Sequence, residues 1–207
     1  MPLGPGGLDP NGIWLYGEDD SEALASDLLN LGMDSVSDVI AALPTPVDPA
    51  ILQVVSTAKT DTFSASVTTG ASVAVTGLSI THEVSNPSNK LLITAFFGVA
   101  ATSSQYGNVG LAVSDGSNLL QIGDASGTST RVTAGGMTSG SVNTAISNSL
   151  SATFLHTPGA GSKTYTVHAI NVDTVTRTLY VNKIEAAYDS QIFPRGASAL
   201  TIMEVAG

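Results

Sequence analysis

The side chains in this chain that can do acid–base or metal chemistry near neutral pH are few: three histidines, His82, His156 and His168, and no cysteine. His82-Glu83-Val84-Ser85-Asn86 opens like a zinc-protease helix, in which two histidines one turn apart face one ion. Position 86 is Asn and the surrounding alternation is that of a strand, so two ligands cannot meet one metal there. All three histidines fall in strand patterns. Such imidazoles can converge on a metal, but the ordinary position of each is half-buried or on the surface. Gly70-Ala71-Ser72-Val73-Ala74 lacks the final glycine of a nucleophile elbow, and Gly123-Asp124-Ala125-Ser126-Gly127 has its serine misplaced. Gly4-Pro5-Gly6-Gly7 precedes no strand–helix unit and so cradles no phosphate. Asp115, Asp124 and Asp189 sit at turn-like sites, where aspartate bonds its local backbone, and they lack the spacing of a calcium loop. Carboxylate pairs for glycoside cleavage stay open, because sequence does not give their separation. The expectation is a non-enzyme with no catalytic residues, no cofactor and no metal.

What must position these groups is a chain of 207 residues with 43% hydrophobic and only 12% charged side chains. A core can form, and charge is about half the globular average. Seven basic residues against seventeen acidic ones exclude a nucleic-acid binder, which needs a basic face. The most apolar run, residues 91–101, is interrupted by Thr94 and Gly98 and is about half the length of a membrane span, so no membrane insertion is expected. No Lys or Arg precedes Lys59, which predicts no secretory signal. The lack of cysteine fits assembly in a reducing compartment.

The charge is unevenly placed. Asp9, Glu18, Asp19, Asp20, Glu22, Asp27, Asp34, Asp38 and Asp48 give residues 1–58 a charge of −9 with no base, and residues 59–207 carry eight acids and seven bases, hence −1. This predicts two parts: an arm over residues 1–50 and a second domain over 51–207. From charge alone, the arm is either a solvated acidic segment or a docking segment. Its opening, with Pro2, Gly4, Pro5, Gly6, Gly7, Pro10 and Gly12, predicts extended chain without helix or strand ladder. Ile13-Trp14-Leu15-Tyr16 is a short apolar burst with the only tryptophan. Leu24, Leu28 and Leu31, then Val36, Val39, Ile40 and Leu43, recur at helical spacing after the capping candidates Asp20/Ser21 and Asp34/Ser35. Two short helices are expected there, ended by Gly32 and by Pro44, Pro46 and Pro49. Helices this short do not fold alone. Ile13, Trp14, Leu15, Tyr16, Leu24, Leu28, Val36 and Ile40 are therefore the candidate partner-binding anchor.

From about Gln53 the period changes to two. Leu150, Ala152, Phe154 and His156 alternate with Ser149, Ser151, Thr153 and Leu155; Tyr165, Val167 and Ala169 alternate with Thr164, Thr166 and His168. Val73 and Val75 share one face, and Leu78, Ile80, His82 and Val84 another, with a bulge expected at Gly77. Residues 91–101 are apolar on both faces and predict a strand buried twice. Further strands are expected near 53–57, 60–67, 107–114, 119–123, 178–187 and 199–205. Gly/Asn/Asp/Pro turns between them predict a mainly β domain, a sandwich or jelly roll. Residues 123–148, rich in Ser, Thr and Gly, read either as a long exposed recognition loop or as loosely ordered strands.

Gly12-Ile13-Trp14-Leu15-Tyr16-Gly17-Glu18-Asp19-Asp20, with Ser26-Asp27-Leu28-Leu29-Asn30-Leu31-Gly32 and Ser35-Val36-Ser37-Asp38, resembles the start of minor tail proteins and tail fibres of phages that infect actinobacteria. The segments beginning Gln53-Val54-Val55-Ser56-Thr57, Val75-Thr76-Gly77-Leu78 and Ser88-Asn89-Lys90-Leu91, and the ending Leu200-Thr201-Ile202-Met203-Glu204-Val205, are similar to the β-rich C-terminal domains of phage tail fibres. The resemblance spans most of the chain and is weakest over about 102–177. It implies a structural virion protein, a tail fibre or receptor-binding minor tail protein. Its arm would contact other tail or capsid proteins, and its β-domain would be displayed as a homotrimer, facing a host-surface glycan. A capsid decoration or head fibre protein is the alternative place on the particle. No fibre shaft is legible, neither collagen triplets nor sustained heptads. A free carbohydrate-binding module is the competing class and would need exposed aromatics to stack on sugar, from only eleven in the chain.

Overall fold

The computed structural model describes residues 50–103, 108–136, 147–184 and 194–207, together with the backbone of two short strands near the start of the chain. The chain divides into two units, Met1–Asp48 and Pro49–Gly207. In the first, β1 (Gly7–Leu8) pairs antiparallel with β2 (Trp14–Leu15), placing Leu8 opposite Trp14. This corrects the expectation of an opening without a ladder. Gly7 and Leu8 lie between Pro5 and Pro10, and two residues with free N–H groups suffice for a minimal ladder. The two expected helices lie outside the described residues.

In the second unit every regular element among the described residues is a strand, which makes the unit mainly β. They are β3 (Ile51–Lys59), β4 (Phe63–Val67), β5 (Ser72–Val84), β6 (Lys90–Thr102), β7 (Val109–Ser114), β8 (Leu119–Leu120), β9 (Ala134–Gly136), β10 (Asn148–His156), β11 (Gly161–Asn171), β12 (Arg177–Val181) and β13 (Ser198–Val205). One sheet of six strands runs β3-β13-β6-β12-β4, with β10 on the free side of β6. The other, of five, runs β5-β11-β7-β8, with β9 also on β7. One core lies between the two sheets. Leu91, Ile93, Ala95 and Phe97 of β6 and Leu200 and Ile202 of β13 meet Leu78, Ile80, Tyr165, Val167 and Leu111 from the other sheet. The alternation seen in the sequence thus becomes the inner face of each strand. At Gly77, φ is +90°, and the register against β11 shifts between Thr166 and His168, which is the bulge that the phase change calls for.

Two lanes of the sheets are each shared by two strands. β12 and β13 both run antiparallel to β6 and pair with successive parts of it, Ala100 to Thr102 and Lys90 to Phe96. Likewise β8 and β9 pair with successive parts of β7. The chain leaves each lane at a non-glycine residue of positive φ, Asn182 (62°) and Gln121 (49°), and re-enters it later. The strand expected over 178–187 therefore ends at Val181, because the left-handed backbone of Asn182 turns the chain out of the sheet. The exit is held by a buried polar knot. Asn182 Nδ2 donates to Lys59 O (2.7 Å) and Asp61 O (3.0 Å), and its Oδ1 accepts from Ser198 Oγ (2.6 Å).

The re-entering chain lies against Gly98: an added Cβ there would stand 2.3 Å from Ala197 O. Gly98→Ala is therefore expected to destabilise the unit by about 1–3 kcal/mol, the cost of overpacking. A urea midpoint unchanged from wild type would count against this packing.

The strand of residues 91–101 is only partly covered on its second face. Beyond a register shift opposite Ser149, Val99 and Ala101 are packed under Ile184 and Tyr180. Before it, Phe96 is 37% exposed. The expectation of burial on both faces holds for one end of β6 and fails at the other, where no described segment lies over it.

Candidate functional site

The three histidines do not converge. His82, on the inner face of β5, is fully buried, unlike the half-buried or surface position expected of it. Its Nε2 lies 2.8 Å from Glu204 Oε2 on β13. A carboxylate only accepts, so Nε2 carries the hydrogen, and Nδ1 is buried without a partner. The other Glu204 oxygen accepts from Asn89 Nδ2 (2.6 Å), Ser85 Oγ (3.2 Å) and Ser85 N (3.3 Å). Burial pushes the Glu204 carboxyl up; the hydrogen bonds from Asn89, His82 and Ser85 outweigh it and hold the group below its ordinary value. The cluster ties the last strand to the β5–β6 turn, a structural task.

His156 stacks edge-on against Tyr165, with ring centroids 5.9 Å apart, and desolvation lowers its pKa. Burial pushes the Tyr165 phenol up to about 12. His168 Nε2 lies 3.1 Å from Ser114 Oγ on the neighbouring strand β7, beside a surface cleft of about 370 Å³. A serine and a base at this distance are two parts of a nucleophile triad. The orienting third part does not meet this imidazole: His168 Nδ1 is buried without a partner, and desolvation lowers its pKa. The pair joins residues 54 apart in the chain, so no local motif announces it. No group of three or more His, Asp or Glu placed to hold a metal ion occurs among the described residues.

A larger cleft, about 780 Å³, opens where the β4–β5 turn, residues 128–130 and the β11–β12 loop come together. Thr69, Asn108, Thr128, Ser129, Thr130 and Thr174 line it with hydroxyls and an amide, and among the described lining residues Asp173 supplies the one carboxylate. Beneath it, buried Asn171 fastens two of these loops. Its Nδ2 donates to Val67 O and Val175 O, each at 2.8 Å, and its Oδ1 accepts from Asp173 N. Asp173 is turned to Arg177; burial raises its carboxyl, and the bonds from Arg177 and Thr174 bring it below the ordinary value. Within residues 123–148, residues 128–130 line the cleft and 134–136 form the short strand β9; residues 137–146 lie outside the described residues.

The outer face of the six-stranded sheet has a different character. The pairing registers set side chains from four neighbouring strands in rows across it. One row is Val54, Met203, Leu92 and Leu155, the next Ser56, Thr201, Thr94 and Thr153, and the third Ala58, Ala199, Phe96 and Ser151. The hydroxyls of the middle row bond within the row, Ser56 to Thr201 at 2.9 Å and Thr94 to Thr153 at 3.1 Å. Val54 is 54% exposed and Leu155 58%.

The side chains of the anchor candidates Ile13, Trp14, Leu15, Tyr16, Leu24, Leu28, Val36 and Ile40 lie outside the described residues; of these positions only the backbone pairing of Trp14 and Leu15 is described. No family model matches the chain, and no curated protein matches it.

Proposed function

We propose that the chain is a structural virion protein of a bacteriophage, a tail fibre or receptor-binding minor tail protein. In this reading residues 1–50 attach it to other virion proteins, and a β-sandwich of jelly-roll kind, residues 51–207, is displayed as a homotrimer. The observation that carries the reading is the match between charge and organisation. All nine acids of the acidic segment fall within the unit Met1–Asp48, and the unit that follows, with eight acids against seven bases, is nearly neutral. An acidic segment with apolar anchors suits a docking device, and a nearly neutral β-unit suits display. The resemblance of residues 12–38 and of the strands after residue 53 to tail proteins points to the same division. The hydroxyl-lined cleft, whose Asp173 is already paired with Arg177, suits the hydroxyls of an uncharged surface glycan.

The test is to find the chain on the particle. Purified virions of the encoding phage are expected to contain it at a multiple of three copies, and antibody against the β-unit is expected to decorate the tail in electron micrographs. Its absence from washed particles would overturn the proposal, and decoration of the capsid would move it to the head.

A further inference from the structure

We infer that the outer face of the six-stranded sheet is where copies of this chain meet. The inference rests on the homotrimer reading and supplies its surface.

Four features of the face agree. First, it is apolar and open: Ile51, Leu52, Val54, Phe96 and Leu155, each at least 37% exposed, all lie on it or at its β3 margin. Together they make a patch of roughly 500 Å², at the upper end of what monomeric proteins expose. The remaining rows bring it toward the roughly 800 Å² per partner of a standard interface. Second, in a chain with seventeen acids the three rows hold no charged side chain. Exposed Lys90, in the margin row with Val205 and Ile51, borders these rows; over the rows themselves an identical copy brings an equally uncharged surface, so the contact there escapes the repulsion that a net −10 imposes elsewhere.

Third, the polar groups at the centre of the face are already bonded to one another, Ser56 to Thr201 and Thr94 to Thr153. Losing water there leaves the Ser56–Thr201 pair satisfied, since Ser56 Oγ also donates to Leu200 O (3.3 Å), and one donor of the Thr94–Thr153 pair, and the threonine methyls add to the apolar surface. Each hydroxyl both donates and accepts, so one part of the row can bond a different part of it on the next copy around a threefold axis. Fourth, β3 ends the sheet path, and its first half, Ile51-Leu52-Gln53-Val54-Val55, has neither charge nor proline. Monomeric proteins blunt such an edge; in an oligomer a neighbouring copy covers it.

The experiment uses the full chain at micromolar concentration, with mass measured by light scattering. Wild type is expected at three times the chain mass of 20.9 kDa. The double variant Val54→Lys/Leu155→Lys is expected to run as a folded monomer, with association weakened at least tenfold. Val175→Lys, at a residue 47% exposed in the β11–β12 loop and off this face, is the control and is expected to keep the wild-type mass. Circular dichroism and the melting temperature check that both variants fold, as both alter only exposed positions.

A trimer that survives the double variant overturns the face and leaves the homotrimer standing. A dimer that the double variant dissociates supports the face and overturns the stoichiometry. A monomeric wild type overturns both. Protection of Val54 and Leu155 from hydroxyl-radical footprinting in such a monomer would place another part of the same chain over them.

Discussion

Deleting residues 1–50 is expected to leave a soluble β-protein that no longer joins the particle. The deletion removes nine acids and no base, so the product keeps eight acids and seven bases. It also removes none of the strands that enclose the core, which begin at Ile51. A chain of this size buries about two-thirds of its surface on folding, enough for independent stability. What is lost is the segment holding Ile13, Trp14, Leu15 and Tyr16, with Leu24, Leu28, Val36 and Ile40. Within that segment Trp14→Ala is expected to weaken incorporation by about 2 kcal/mol or more, because large aromatics dominate most interfaces. The measurement is copy number per particle after complementation with each variant. Normal copy number from the truncated chain would place the attachment surface in the β-unit.

The second large effect is expected at Glu204. Glu204→Ala leaves His82 buried beside a hole and removes the acceptor for buried Asn89 and for Ser85 at the exposed rim of the cluster. The buried donors of His82 and Asn89 are then left without an acceptor, at about 1–3 kcal/mol each, a large part of the usual margin of stability. The carboxyl is held below its ordinary value of 4.5, so its contribution is present in full above about pH 4.5 and is lost as pH falls through the lower folded value. Unfolding free energy should therefore decline on acidification below that point. Glu204→Gln, which cannot ionise, should be less stable at pH 7 and show a flatter decline. An equal slope in both proteins would place the acid sensitivity elsewhere.

The strands were legible because burial on one face writes a period of two. Leu150, Ala152 and Phe154 point inward from β10, as do Tyr165, Val167 and Ala169 from β11, and the bulge at Gly77 was visible as a slip of phase. The lane sharing was not legible. Whether two segments occupy one lane is decided by long-range pairing, which leaves no local signature, so residues 178–187 read as one strand across Asn182. The His82–Glu204 and Ser114–His168 pairs were hidden for the same reason, as each joins strands far apart in the chain. The cleft was half legible: its hydroxyl-rich composition was plain, but its floor at Asn171 looked like an ordinary strand end.

The knot at Asn182 lies where the chain leaves the sheet. Its hydrogen bonds reach Lys59, Asp61, Ser198 and Val99, all within the framework strands or the turn beside them. The register of β13 against β6 is set by its own inward residues, Leu200, Ile202 and Glu204. Exit and re-entry are coupled through the knot: loosening Asn182 would also free Ser198, and with it the start of the last strand, so one amide side chain holds both ends of the departure from the sheet.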